Sequence, residues 1–323
     1  MAARKTVVVT RKLTTAVEAR LRRDYDAHLN ETDEVLSPER IASLAKDTKA
    51  DALLVAATDN VGAAVISALP DSVKAIATFS VGYNHIDVEG CKRRGIVVTY
   101  TPDVLTDATA DLTMLLVLGA ARRAAEGERL LRNGEWTGWA PTQLLGTHVT
   151  GKALGILGMG RIGRAFAKRA RGFDMRIHYA NRTRLPPELE QGAVFHADAE
   201  AMLGQVDFLS INCPATPETT KFLDARRIAL MKGGAIVVNS ARGAIVDDKA
   251  LIAALRSGKL AAAGLDVFDR EPLLDETYRT LPNTFLLPHL GSSTIETRDG
   301  MGNKCADNLD AFFAGRAPPD RLV

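Results

Sequence analysis

The chain has 323 residues, 46% of them apolar, and 41 basic against 39 acidic side chains leave a formal charge of +2. That length exceeds one ordinary domain and suits two, each with its own core. The balance of charge provides no general basic field, so nucleic acid and anionic membrane are not expected as main partners.

Three cysteines, Cys91, Cys213 and Cys305, have no paired spacing, so neither a disulfide framework nor a zinc site is expected. The six histidines show no metal-ligand spacing either. The N-terminal stretch MAARKTVVVTRK holds an apolar run too short for a signal-peptide core. The apolar run LTMLLVLGAA is half the length of about 20 residues that a bilayer span needs. A soluble, cytoplasmic protein is expected.

In chain order, TVVVT (6–10), DALLVAAT (51–58), KAIATFS (74–80) and GIVVTY (95–100) read as buried strands. LTTAVEARLRRDYDAHL (13–29) and NVGAAVISAL (60–69) read as helices between them. This alternation predicts parallel βαβ units. After a long helix around 106–133 the pattern restarts. KALGILG, MRIHYA, DFLSINC, GAIVVNSA, AAAGLDVF and TFLLPH read as six further strands. The fold class is therefore α/β, with two doubly wound parallel sheets. The expected division is 1–102 plus 288–323 for one discontinuous domain and 103–287 for the other. The tail GSSTIETRDGMGNKCADNLDAFFAG reads as one helix that returns to the first unit, and RAPPDRLV as a loosely ordered end.

Gly158-Met159-Gly160-Arg161-Ile162-Gly163 is a GxGxxG between a strand and the helix RIGRAFAKRARGF. In that context the first glycine permits the turn and the second admits a pyrophosphate. The third lets helix and strand pack, and the helix N-terminus faces the phosphates. An acid that binds the adenosine ribose is expected about 20 residues further on. Ala180 stands there, followed by Asn181, Arg182, Thr183 and Arg184. Without the acid a 2′-phosphate is not repelled, and Arg182, Thr183 and Arg184 can donate to it. NADP is the expected cofactor; a solvated basic turn is the plainer reading.

Arg242, Asp266, Glu271 and His289 all follow strands of the second unit, in NSARGAIVDD, GLDVFDREP and LLPHLGSST. Ligands of doubly wound sheets bind outside the carboxyl ends of the strands. The four residues therefore share the edge that carries the glycine loop. A guanidinium can clamp a carboxylate and polarise a carbonyl. A histidine, with an ordinary pKa of about 6.5, can protonate a developing alkoxide, and a neighbouring carboxylate orients it. Asp266 can hold the nicotinamide side. Taken singly, Arg242 also reads as a surface residue, Glu271 and Asp266 as turn residues and His289 as structural.

These motifs, LGMGRIG, NSARGAIVDD, GLDVFDREP and PHLGSST, stand in an order and spacing that resemble the D-2-hydroxyacid dehydrogenases. FSVGYNHID and TPDVLTDATADLT are similar to the glyoxylate/hydroxypyruvate reductase branch of that family. The resemblance implies that Arg242 binds the substrate carboxylate and keto oxygen, that His289 is the general acid with Glu271 as its partner, and that the Val81-Gly82 backbone holds the carboxylate. It implies cofactor contacts from Thr109, Gly158, Gly160, Arg161, Ile162, Gly163, Asn181–Arg184, Cys213, Pro214, Ala241, Asp266, His289 and Gly291. It also implies an active-site cleft between substrate and dinucleotide domains, and a homodimer in which Trp139 of GEWTGWAPTQ reaches the partner's substrate. The alternative role for Trp139 is packing in a dimer arm. The expected reaction is NADPH-dependent reduction of glyoxylate or hydroxypyruvate. D-lactate and phosphoglycerate dehydrogenation are alternatives within the family, and a dinucleotide-sensing corepressor without turnover is one outside it. Formate dehydrogenases lack the acid that Glu271 matches.

Overall fold

Most strands are short apolar runs buried on both faces, as parallel sheets covered by helices require. The computed structural model describes residues 4–323. It divides into one unit made of the chain up to Leu105 together with Ser292–Val323, and a second made of Thr106–Gly291. The crossings lie a few residues beyond Pro102 and the Pro288-His289 pair. Proline marks where a strand's continuation stops, whereas the division follows where packing changes hands.

The first unit holds β1 (Thr6–Val9), β2 (Asp26–His28), β3 (Ala52–Ala56), β4 (Ala75–Phe79) and β5 (Val97–Thr99), all parallel, in the order β2-β1-β3-β4-β5. Alternate side chains feed two cores. Val8, Leu53, Val55, Ile76 and Val98 pack on one side. Val7, Val9, Leu54 and Ala77 pack on the other, against Met301, Cys305 and Leu309 of the helix Ile295–Phe313. Tyr25 ties that helix down through its hydroxyl, which donates to Asp310.

The second unit holds β6 (Ala153–Leu157), β7 (Arg176–Ala180), β8 (Val194–His196), β9 (Phe208–Ile211), β10 (Ala235–Asn239), β11 (Leu260–Leu265) and β12 (Thr284–Leu286), in the order β12-β11-β10-β9-β6-β7-β8. Counted from β6, the order 3-2-1-4-5-6 of dinucleotide-binding folds is present with one strand added. Its switch point lies between β6 and β9, directly beyond which sits the glycine loop. Among the described residues no helix is long and apolar enough to cross a membrane.

Four local expectations are corrected. The helix read over 13–29 ends at Asp24, and Asp26–His28 forms an edge strand instead. β8 was not expected, which makes seven strands in the second sheet rather than six. The long helix of 106–133 is two helices, Thr106–Ala121 and Ala124–Arg132, broken where Arg123 adopts φ 54°. The RAPPDRLV end is pinned rather than loose. Asp320 accepts from Lys304 Nζ at 3.0 and 3.1 Å and from Asn308 Nδ2 at 3.0 Å, and Leu322 N donates to Val98 O at 2.7 Å.

Candidate active site

The turn after β6 is shaped by its glycines. Gly158 has φ +96°, and a Cβ there would lie 2.6 Å from Cys213 N, so a side chain is barred twice over. A Cβ on Gly163 would meet Gly158 O at 2.4 Å, which is the close packing of helix on strand. A Cβ on Gly160 would meet nothing within 4 Å, so the loop is open at that point. Gly160 caps the helix Arg161–Arg171, whose first N–H groups and dipole favour an anion. An open cradle at a helix N-terminus, at a switch point, fits a dinucleotide pyrophosphate.

The loop beyond β7 divides into two pairs. Ala180 is buried, and Asn181 Oδ1 accepts from Met159 N at 2.7 Å, which ties this loop to the glycine turn. Arg184 is held by Glu190, with Nε on Oε1 at 2.8 Å and Nη2 on Oε2 at 3.1 Å. The Arg184 hydrogen bond keeps the Glu190 carboxyl below its usual range. Arg184 is therefore occupied where a phosphate ligand was expected. Arg182 and Thr183 are exposed. Cys213 is half-buried beside Gly158, and burial pushes its thiol up to about 11.

Along the same sheet edge β10 delivers Arg242. The buried Asn239 clamps this turn, its Nδ2 donating to Arg242 O at 2.9 Å and its Oδ1 accepting from Ala241 N at 3.0 Å. Asn239 was not singled out in the sequence, although its place at the strand end in NSARG is the signal. Burial pulls the Arg242 guanidinium down, and the charge of Glu271 opposes that. The two residues are neighbours because the next turn abuts Phe268. A Cβ on Gly243 would lie 1.9 Å from the Phe268 carbonyl carbon. Glu271 Oε1 accepts from Phe268 N at 2.9 Å, and Oε2 lies 2.6 Å from His289 Nδ1. Burial pushes the Glu271 carboxyl up, but the His289 hydrogen bond, the Phe268 N–H and the charges of His289 and Arg242 outweigh it, and it sits below its usual range. An ionised carboxylate only accepts, so His289 Nδ1 carries the proton and Nε2 is left for chemistry.

His289 is in turn set by Asp266. Three consecutive N–H groups converge on this residue. His289 N donates to its carbonyl at 2.9 Å, Leu290 N to Oδ1 at 2.7 Å and Gly291 N to Oδ2 at 2.9 Å. This holds His289 at φ 57°, a left-handed conformation that a non-glycine residue adopts only when its surroundings impose it. Asp266 is fully buried, and burial pushes its carboxyl up to about 6. Thr109 Oγ1 closes the loop by donating to Gly291 O at 3.1 Å. Arg242, Glu271, His289, Asp266, Thr109 and Gly291 thus form one connected group.

In the first unit, β4 runs into Val81-Gly82. Among the described residues the N–H groups of Val81 and Gly82 have no hydrogen-bond partner, which leaves two adjacent donors for an anion. Trp139 is 80% exposed and Trp136 52% exposed, both in the stretch after the helix Ala124–Arg132.

Residues 114–291 match the family model for the D-isomer specific 2-hydroxyacid dehydrogenase, NAD binding domain. The chain is 43% identical over 314 residues to a glycerate dehydrogenase of Hyphomicrobium methylovorum, covering 97% of each chain. It is 46% identical over 288 residues to a glyoxylate reductase of Thermococcus litoralis, covering 88% of this chain and 87% of that one. A solved NADPH-dependent glyoxylate/hydroxypyruvate reductase of Sinorhizobium meliloti, in complex with NADP and malonate, superposes with a TM-score of 0.87 at 33% identity over 99% of this chain and 97% of that one. On the glycine turn, the Arg–Glu–His group and these similarities, the chain belongs to the D-isomer specific 2-hydroxyacid dehydrogenase family.

Proposed function

We propose that the protein reduces a small 2-keto acid, glyoxylate or hydroxypyruvate, to glycolate or D-glycerate with NADPH. The observation that carries this reading is the His289–Glu271 hydrogen bond beside Arg242. Two relatives named glyoxylate reductase and glyoxylate/hydroxypyruvate reductase support the substrate class. The absent acid at Ala180 and the exposed Arg182 and Thr183 support NADP over NAD.

When bound, the reduced nicotinamide supplies a hydride to the keto carbon. The chain does the rest. Arg242 grips the carboxylate and polarises the keto oxygen, and its low hydration at a half-buried site strengthens that bond. His289 releases its Nε2 proton to the oxygen as charge develops there. Glu271 keeps the Nδ1 proton and balances the imidazolium before the transfer. The free N–H groups of Val81 and Gly82 take the carboxylate. Gly158, Gly160, Ile162 and Gly163 with Arg161 would hold the pyrophosphate, and Asp266 with Thr109 and Gly291 would hold the nicotinamide end. The exposed Trp139 is assigned to a second copy's substrate site in a homodimer.

His289→Ala removes the proton donor and leaves Arg242 in place. Its kcat for keto-acid reduction should fall by at least about 100-fold. Near-normal turnover in steady-state assays of that variant would reject the assignment.

A further inference from the structure

The Val81 and Gly82 N–H groups need something to aim them. β4 and the residue after it read Thr78-Phe79-Ser80, and Thr78 and Ser80 are 0% and 5% exposed. Hydroxyls at such depth are costly unless hydrogen-bonded. Here they are bonded in series. His85 Nε2 lies 2.9 Å from Thr78 Oγ1, Thr78 Oγ1 lies 2.7 Å from Ser80 Oγ, and Ser80 Oγ lies 2.6 Å from Gly82 O.

The sense of the series follows from counting protons. A hydroxyl has one to donate. The Gly82 carbonyl only accepts, so Ser80 donates to it. Ser80 then accepts from Thr78. Thr78, its own proton committed, accepts from an Nε2–H of His85. The chain runs one way, from the imidazole to the Gly82 carbonyl, and each bond polarises the next. It holds in that sense whether His85 is neutral with its proton on Nε2 or is an imidazolium. A neutral ring protonated on Nδ1 breaks it.

Ser80 is also held through its backbone, with Thr101 N donating to Ser80 O at 3.0 Å. A trans peptide points its N–H opposite to its carbonyl. Holding Ser80 O toward Thr101 therefore turns the Val81 N–H away from Thr101. Holding Gly82 O on the Ser80 hydroxyl fixes the next but one peptide plane. The Gly82 N–H is bracketed between two fixed planes.

We infer that His85, Thr78 and Ser80 are positioning residues, a proton-ordered chain that fixes the Gly82 N–H beside the Val81 N–H, itself set by the Thr101 bond to Ser80 O, so that both face the carboxylate of a 2-keto acid. This rests on the proposed function.

Kinetics with glyoxylate and hydroxypyruvate test it. Ser80→Ala and the isosteric Thr78→Val should each raise KM for the keto acid about tenfold, with a smaller fall in kcat and an unchanged Kd for NADPH. Thr78→Ser keeps the hydroxyl and should bring KM back to within about twofold of wild type. An unchanged KM in folded, active Ser80→Ala and Thr78→Val overturns the chain and leaves the reduction standing. A wild-type protein that turns over no 2-keto acid overturns the proposed function, and this substrate role with it. Histidine 15N spectra read the His85 ring without any substrate. A proton on Nε2 is expected, and a neutral ring protonated on Nδ1 overturns the chain whatever the kinetics.

Discussion

His289 illustrates how much a single side chain depends on its neighbours. Its Nδ1 proton is fixed by Glu271 and its backbone by Asp266, so neither ring nor main chain is free to turn. Asp266 contributes a pH dependence of a definite sign. Its folded value of about 6 lies above the ordinary 3.8. Between those values the folded protein keeps a proton that the unfolded chain has released, so this group makes stability fall as pH rises from about 4 to about 6. Asp266→Asn cannot titrate. Denaturant midpoints at both ends of that window should show wild type losing stability relative to the variant as pH rises, and parallel pH dependence in the two proteins would contradict the assignment. Arg182 carries the cofactor claim at this scale, since Arg184 is held by Glu190. Arg182→Ala should weaken NADPH about tenfold or more in a fluorescence titration while leaving NADH nearly unchanged. Equal losses for both cofactors would mean that the residue does not read the 2′-phosphate.

At the scale of elements, the sequence was most legible where strands end. β6, β10, β11 and β12 are β-branched or apolar runs, and each delivers its motif to the same sheet edge, so the sequence pattern alone brings Gly158, Arg242, Asp266 and His289 together. β2 and β8 were illegible because DAH and VFH carry charged or imidazole side chains and lack the apolar run that announces β5 and β12, which are three-residue edge strands too. The break at Arg123 has no glycine or proline to announce it. The Asn239 clamp and the Thr78–Ser80–His85 series depend on contacts that composition and periodicity do not encode. The chain's end was misread for the same reason. Its prolines signal a loop, whereas Asp320 is drawn in by Lys304 and Asn308 from the helix Ile295–Phe313. Asp320→Ala leaves the Lys304 ammonium without its half-buried partner and should cost about 3 kcal/mol in denaturant unfolding. A loss below about 1 kcal/mol would show that the tail adds little.

For the molecule as a whole, a sheet of order 2-1-3-4-5 and a sheet of extended 3-2-1-4-5-6 order divide the labour. The second unit carries the glycine cradle and the Arg242–Glu271–His289 group. The first presents two N–H donors, at Val81 and Gly82, that have no partner among the described residues. Exposed Leu131, Trp136, Trp139 and Leu145 lie in one stretch of the second unit's sequence, from which the proposed homodimer takes Trp139 to a second copy's substrate site. The proposed function is a reaction with a stated cofactor. The most direct test follows absorbance at 340 nm with glyoxylate, hydroxypyruvate and pyruvate, each with NADPH and with NADH. Rapid NADPH oxidation by glyoxylate or hydroxypyruvate is expected, with kcat/KM at least about tenfold above that with NADH, a difference of ~1.4 kcal/mol. A preference for NADH would contradict the reading of Arg182 and Thr183, and binding of cofactor without turnover of any keto acid would contradict the reaction itself.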